Sequence, residues 1–144
     1  MKPDPEMAQR LIAAGLRPTA QRISLASLLF RDGDRHVSAS SLYEEAKAAR
    51  LKVSFATVYN TLNQFQAAGL LRQVAMEGER NFYDTNTSNH FHYYLEDSEV
   101  LIDIDDSAIE VKGLPTPPEL YEISRIDVVV RLRTLKAKDQ PGND

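Results

Sequence analysis

Ser54-Phe55-Ala56-Thr57-Val58-Tyr59-Asn60-Thr61-Leu62-Asn63-Gln64-Phe65 (SFATVYNTLNQF, residues 54–65) is the stretch on which the fold turns. Ser54 is a helix cap, and Phe55, Val58, Leu62 and Phe65 fall at i, i+3, i+7 and i+10, the period of one buried helical face. Gly69 stops this helix, and the pattern then changes. Leu70–Met76 and Arg80–Asp84 flank Glu77-Gly78-Glu79, which spells a β-hairpin with glycine in its turn. Working upstream, Ser38 caps a third helix whose buried stripe is marked by Leu42 and Ala46. Asp32-Gly33-Asp34 is a turn, and Pro18-Thr19 opens a second helix with Ile23, Ala26, Leu29 and Phe30 facing inward. Asp4-Pro5-Glu6 starts a first helix, with Met7, Leu11 and Ala14 on one face and Gly15 as its stop. Helices closed by a hairpin describe a winged helix-turn-helix. Its third and fourth helices form the helix-turn-helix pair, and the fourth enters the major groove.

The rest of the chain is different in character. Residues 1–80 carry 11 Lys and Arg against 8 Asp and Glu, whereas residues 81–144 carry 6 against 13. This asymmetry predicts two jobs, a mildly basic front and an acidic back able to supply carboxylates to a cation. Strand candidates are His90–Leu95, Val100–Ile104 and Ile123–Leu132. In the last of these, Ile126, Val128, Val130 and Leu132 alternate with Asp127, Arg131 and Arg133. Leu114–Pro118 is a stiff connector and Lys136–Asp144 a polar, frayed tail. The chain therefore reads as α+β, with a winged helix over residues 1–85 and a β-rich second domain over 86–144. The 144 residues include no cysteine, which excludes disulfides, thiolate zinc sites, thiol catalysis and cysteine redox sensing. The start has no apolar signal-peptide core, and no apolar run approaches the ~18 residues that cross a bilayer. A soluble, cytoplasmic protein is expected.

On the fourth helix, Ser54, Ala56, Thr57, Asn60, Thr61 and Asn63 lie off the apolar stripe, with Tyr59 beside them. Small hydroxyls, asparagine and tyrosine can touch bases and phosphates without filling a groove. A polar outer face is also what most surface helices have. The hairpin and the basic balance of the front favour double-stranded DNA. Arg17, ahead of the second helix, and Arg22, within it, can contact phosphate or enter a minor groove.

Two of the three histidines sit in Asn89-His90-Phe91-His92-Tyr93-Tyr94. On a strand, His90 and His92 present their imidazoles on one face, while Phe91 and Tyr93 point the other way, toward a core. Two imidazoles with nearby carboxylates suit Fe(II), Mn(II) or Zn(II). Asp84 closes the wing, Asp103 lies on the adjacent strand candidate, and His36 precedes the third helix. Were all five to converge, a metal would tie the reading head to the back half. Histidine at this spacing is more often a surface pair, in which case the protein is a DNA-binding module without sensing. A small non-haem iron enzyme is the reading from another class. No feature of the sequence marks a substrate pocket, and an enzyme would not need the helix-turn-helix.

The segments LRPTAQR, HVSASSLYEEA, SFATVYNTLNQFQAAGLL and NFYDTNTSNHFH resemble the ferric uptake regulator superfamily over roughly residues 10 to 104. Within it, GDRHVSASSLYEEA, FYDTNTSNHFH and IDVVVRLR are most similar to the iron response regulator branch. The resemblance implies a homodimeric, metal- or haem-responsive transcription regulator, a repressor or activator. It would bind AT-rich inverted repeats through the winged helix and dimerise through the C-terminal α/β domain. It places the regulatory metal on His36, Asp84, His90, His92 and Asp103, a set similar to that of the peroxide-sensing branch. It places DNA contacts at Arg17 and Tyr59, and haem, if bound, at His90 and His92 beside Phe91, Tyr93 and Tyr94. Departures from the family pattern are informative. The paired CxxC motifs of a structural zinc are missing, and a second metal site is lost at Asn89 and Phe91. Phe91 interrupts the branch's run of histidines, a haem-binding Cys-Pro motif is absent, and Asn60 stands where many relatives have arginine.

Overall fold

The computed structural model describes residues 4–76 and 81–136. The Glu77-Gly78-Glu79 turn and all but the first residue of the tail Lys136–Asp144 lie outside them. The chain forms two compact units, Met1–Thr87 and Ser88–Asp144. Among the described residues no helix is long and apolar enough to cross a membrane.

The first unit begins with α1 (Pro5–Ala13), capped by Asp4, whose carboxylate accepts the Glu6 and Met7 backbone N–H groups at 3.1 and 3.3 Å. These bonds, that to Met7 above all, hold the Asp4 carboxyl below its ordinary pKa. Gly15, at φ 81°, closes the helix by letting the Leu16 N–H return to the Leu11 carbonyl at 2.9 Å. α2 (Ala20–Phe30) starts from Thr19, and its buried residues are Leu25, Ala26, Ser27 and Leu29. Ile23 and Phe30, read as inward-facing, are only partly buried. Both nevertheless pack against the core cluster.

β1 (His36–Val37) leads into α3 (Ala39–Ala48), where Ser38 and Ser41 form a reciprocal capping box. Ser38 Oγ accepts the Ser41 N–H at 3.1 Å, and Ser41 Oγ accepts the Ser38 N–H at 2.9 Å. Ser38→Ala removes one side of this box and is expected to cost about 1 kcal/mol of unfolding free energy, measured by urea denaturation. α4 (Phe55–Ala67) buries Val58, Thr61, Leu62 and Phe65. Phe65 stacks on Phe30 with ring centroids 6.4 Å apart, and Leu11, Leu25, Leu29 and Leu42 complete the centre of the core. Phe55 is an exception to the stripe: it is 44% exposed and meets Tyr43 edge-on at the helix start. β2 (Arg72–Ala75) and β3 (Asn81–Asp84) pair antiparallel, and β1 joins the other side of β3, giving the order β1-β3-β2. The winged helix-turn-helix architecture is present as expected.

In the second unit, β4 (Phe91–Leu95) pairs antiparallel with β5 (Val100–Ile104), as anticipated, with His92 opposite Asp103. β6 (Val129–Leu132) adds to the other side of β4 in parallel, so the order is β5-β4-β6. The expected strand Ile123–Leu132 is thus trimmed to its last residues. β4 is short, and His92 to Leu95 are the ladder partners it offers β6. Upstream of it, Arg125 Nε pairs locally with Asp127 Oδ2 at 3.0 Å.

The strand alternation is as read, but the histidine face of β4 is the more buried of the two. His90, His92, Tyr94 and Leu101 are on the buried side, while Tyr93, Val100 and Ile102 are exposed. Of the aromatic side chains opposite the histidines, Tyr93 is exposed and Phe91 is partly buried. Ordinary periodicity marks two faces without saying which one a neighbour covers. Along the segment before β6, Leu120 is 98% exposed with φ 73°, and Tyr121 beside it is also exposed.

Candidate functional site

The sequence-predicted metal ligands divide between the two units, and each unit assembles its own share. In the first, ladder pairing sets His36 on β1 opposite Asp84 on β3. His36 Nε2 lies 3.0 Å from Asp84 Oδ2. Asp84 is buried, and its other oxygen accepts the Asn86 N–H at 2.9 Å. The neighbouring residues lock this register. Arg35 N–H donates to Thr85 Oγ1 at 2.8 Å, and Thr85 N–H returns to the Arg35 carbonyl at 3.0 Å. The Arg35 guanidinium grips both oxygens of Glu45 on α3 and donates to the Leu28 carbonyl. A buried carboxylate needs a positive partner. Protonated His36 is one such partner, and a divalent cation bound between Nε2 and Oδ2 is another.

In the second unit, His90 Nδ1 is 2.7 Å from the Ser88 carbonyl. A carbonyl only accepts, so Nδ1 carries the hydrogen, and a neutral ring must present the lone pair of Nε2. That lone pair points at Asp103 Oδ1, 3.1 Å away. His92 Nε2 approaches the same oxygen at 3.4 Å. One donor atom of each of the three residues lies within 4.8 Å of the other two. Neutral imidazole nitrogens and a carboxylate oxygen facing one another repel unless a proton or a cation sits among them. Nitrogen and carboxylate donors, with no sulfur, fit Fe(II), Mn(II) or Zn(II). The carbonyl behind His90 is the outer partner that such a ligand needs to hold its tautomer.

Haem at His90 and His92 gains no support from this geometry. The His90 and His92 rings are side by side, with centroids 4.6 Å apart, and both address Asp103. Side by side, the rings are not disposed as paired axial ligands on opposite faces of one porphyrin plane.

On the outer face of α4, Ala56, Tyr59 and Asn60 are exposed, as read from sequence. Ser54 and Thr57 are engaged with each other: Ser54 Oγ accepts the Thr57 N–H at 3.1 Å and lies 2.9 Å from Thr57 Oγ1. Thr61 is buried rather than available, because it stands three residues after Val58 and four before Phe65, within the same stripe. Asn63 is also committed, accepting a 2.6 Å hydrogen bond from the buried Tyr83 hydroxyl on β3. Burial pushes that hydroxyl above its ordinary pKa, with Tyr59 adding to the effect. Arg17 is exposed, whereas Arg22 donates to the Arg17 carbonyl and to Gln64 Oε1. An open cleft of about 430 Å³ is lined by Arg17, Thr19, Arg22, Thr57, Asn60 and Gln64. Gln64 and Tyr83 were not legible as site residues, since neither stands in a recognisable motif.

The ferric uptake regulator family matches residues 13–127 of this chain. The chain belongs to the ferric uptake regulator family. It is 33% identical to the ferric uptake regulation protein of Shigella flexneri over 100 residues, 69% of this chain and 68% of that one. The manganese-containing ferric uptake regulator structure from Pseudomonas aeruginosa superimposes with a TM-score of 0.69 at 28% identity, covering 90% of this chain and 98% of that one. The Vibrio cholerae ferric uptake regulator gives a TM-score of 0.70 at 23% identity, covering 88% and 98%, and supports the fold alone. Membership makes this a transcription regulator of metal homeostasis, the family being one of regulators rather than enzymes. The α+β reading, a winged helix followed by a small α/β domain, is that of the family's solved structures.

Proposed function

We propose that this ferric uptake regulator family member is a cytoplasmic, homodimeric, metal-responsive transcription regulator of iron homeostasis, belonging to the iron response regulator branch. The regulatory divalent cation, Fe(II) or Mn(II) and in vitro Zn(II), takes its ligands from the set His36, Asp84, His90, His92 and Asp103. The observation that carries this reading is the pair of donor sets: in each unit, imidazole nitrogen faces carboxylate oxygen in an arrangement that a cation relieves. Manganese in the related Pseudomonas aeruginosa structure supports the choice of metal. The cation shifts the regulator toward one state only as far as it binds that state better than another.

The DNA target is an AT-rich inverted repeat read by Tyr59, Asn60 and Ala56 of α4 together with Arg17. Two-fold symmetry of such a repeat requires two copies of the chain. The exposed side chains of Tyr93, Val100, Ile102 and Leu120 supply apolar surface for the second copy. Without cysteine, this dimer rests on packing alone.

Fluorescence anisotropy with a labelled AT-rich inverted-repeat duplex tests the reading. Mn(II) is expected to tighten binding at least tenfold over chelator. Equal affinity in both conditions would rule out metal as the co-regulator. The peroxide-sensing alternative is favoured by the same sulfur-free donor set. Its signature in Fe(II)-loaded, peroxide-treated protein is oxygen added to His36 or His90, read by mass spectrometry.

A further inference from the structure

Arg22 stands where sequence suggests a phosphate contact, but its hydrogen bonds point elsewhere. Its guanidinium donates from Nη1 to the Arg17 carbonyl at 2.9 Å and from Nη2 to Gln64 Oε1 at 3.0 Å. Its own backbone N–H is held by Thr19 Oγ1 at 3.3 Å, and the Thr19 N–H also returns to the Arg17 carbonyl at 2.9 Å. The loop bearing Arg17 is thereby cinched to the start of α2 and, through one planar side chain, to the exposed side of α4. Arginine suits such a bridge because its donors diverge from a rigid fork, so two acceptors bound at once are fixed in distance and direction. The cleft of about 430 Å³ lies between the parts so joined, with Asn60 and Thr57 on one side and Arg17 on the other.

We infer that Arg22 is a positioning residue for DNA recognition: it holds the Arg17 loop at a set distance from the reading helix α4. The inference rests on the DNA-binding reading above. Two elements that touch one duplex at separate places must be held in register with it. Without the bridge, each can still find phosphate, but the two no longer select the same sequence. Loss of Arg22 should then lower discrimination between sequences and leave the electrostatic part of binding in place.

The test uses the Mn(II)-loaded full chain and two duplexes of equal length, an AT-rich inverted repeat and its scrambled counterpart. Affinities are measured by anisotropy across a salt series for wild type, Arg22→Lys, Arg22→Met and Gln64→Ala. Gln64 is exposed, so its truncation leaves the core intact. All the variants are expected to lose about tenfold in the affinity ratio of the two duplexes, which corresponds to one good contact's worth of discrimination. Arg22→Met should keep the wild-type slope of log K against log salt. A direct phosphate contact would instead flatten that slope by about 0.9. Such a flattening, or wild-type discrimination by Arg22→Lys or Gln64→Ala, overturns the positioning role. A wild-type chain that does not distinguish the duplexes overturns the DNA reading itself.

Discussion

The His90→Ala/His92→Ala double variant is expected to lose its Mn(II) response while its DNA-binding unit stays folded. The two imidazoles are the nitrogen donors of the second unit's set, and both converge on Asp103 Oδ1. Removing them leaves that unit a single carboxylate, and exposed carboxylates hold Mn(II) weakly in water. Deleting outer partners of metal ligands already costs 10- to 100-fold, so losing two ligands should weaken Mn(II) binding by more than about 100-fold. The core of the first unit, from Met7 to Tyr83, contains neither residue. Metal-independent affinity for duplex DNA should therefore persist, and the ratio of affinities with and without Mn(II) should fall to about one. Equilibrium dialysis measures the first effect and anisotropy the second. A double variant that still binds Mn(II) and switches like wild type would remove His90 and His92 from the site.

Phe65→Ala is expected to be the most damaging single truncation in the winged helix. Phe65 is fully buried, closes the apolar stripe of α4 and stacks on Phe30 of α2. Its replacement by alanine forfeits the transfer free energy of a whole ring and leaves a cavity that two packed helices cannot close. The cost should be about 3–5 kcal/mol. In a unit of this size that lowers Tm by more than about 12 °C, and it approaches the entire stability of a small domain. Phe55→Ala, on the same sequence stripe, is the control. The Phe55 ring is half exposed and touches Tyr43 edge-on, so its loss should cost only about 1 kcal/mol. Differential scanning calorimetry separates the two. Equal effects would mean that burial along α4 does not follow the structure.

Much of the winged helix was legible because its signals are local. Asp4, Thr19, Ser38 and Ser54 each cap the helix whose start they mark. Gly15 and Gly69 adopt positive φ where each helix ends. These preferences arise within a few residues of chain and need no distant partner. The period of α4 likewise marks Val58, Leu62 and Phe65 as buried. Applied strictly, it would also have placed Thr61 inside, since that residue shares their face.

What could not be read depends on which neighbour arrives. β1 is two residues long, too short for any periodicity, and exists because β3 offers it a ladder. β6 is shorter than its apolar alternation because its partner strand ends. Arg22 and a phosphate-binding arginine look alike in sequence; only the nearness of Gln64, 42 positions on, tells them apart.

The sequence by itself determined the donor chemistry, three histidines and no cysteine, and the order of helices and hairpin. These follow from composition and from short-range periodicity. Only tertiary structure decided that the histidine face of β4 is the buried one, that His90 must present Nε2, and that Asp103 receives both rings. Each of those facts is set by a backbone carbonyl or a neighbouring strand brought close by folding, and the energy of such contacts depends on distances that one-dimensional order does not contain.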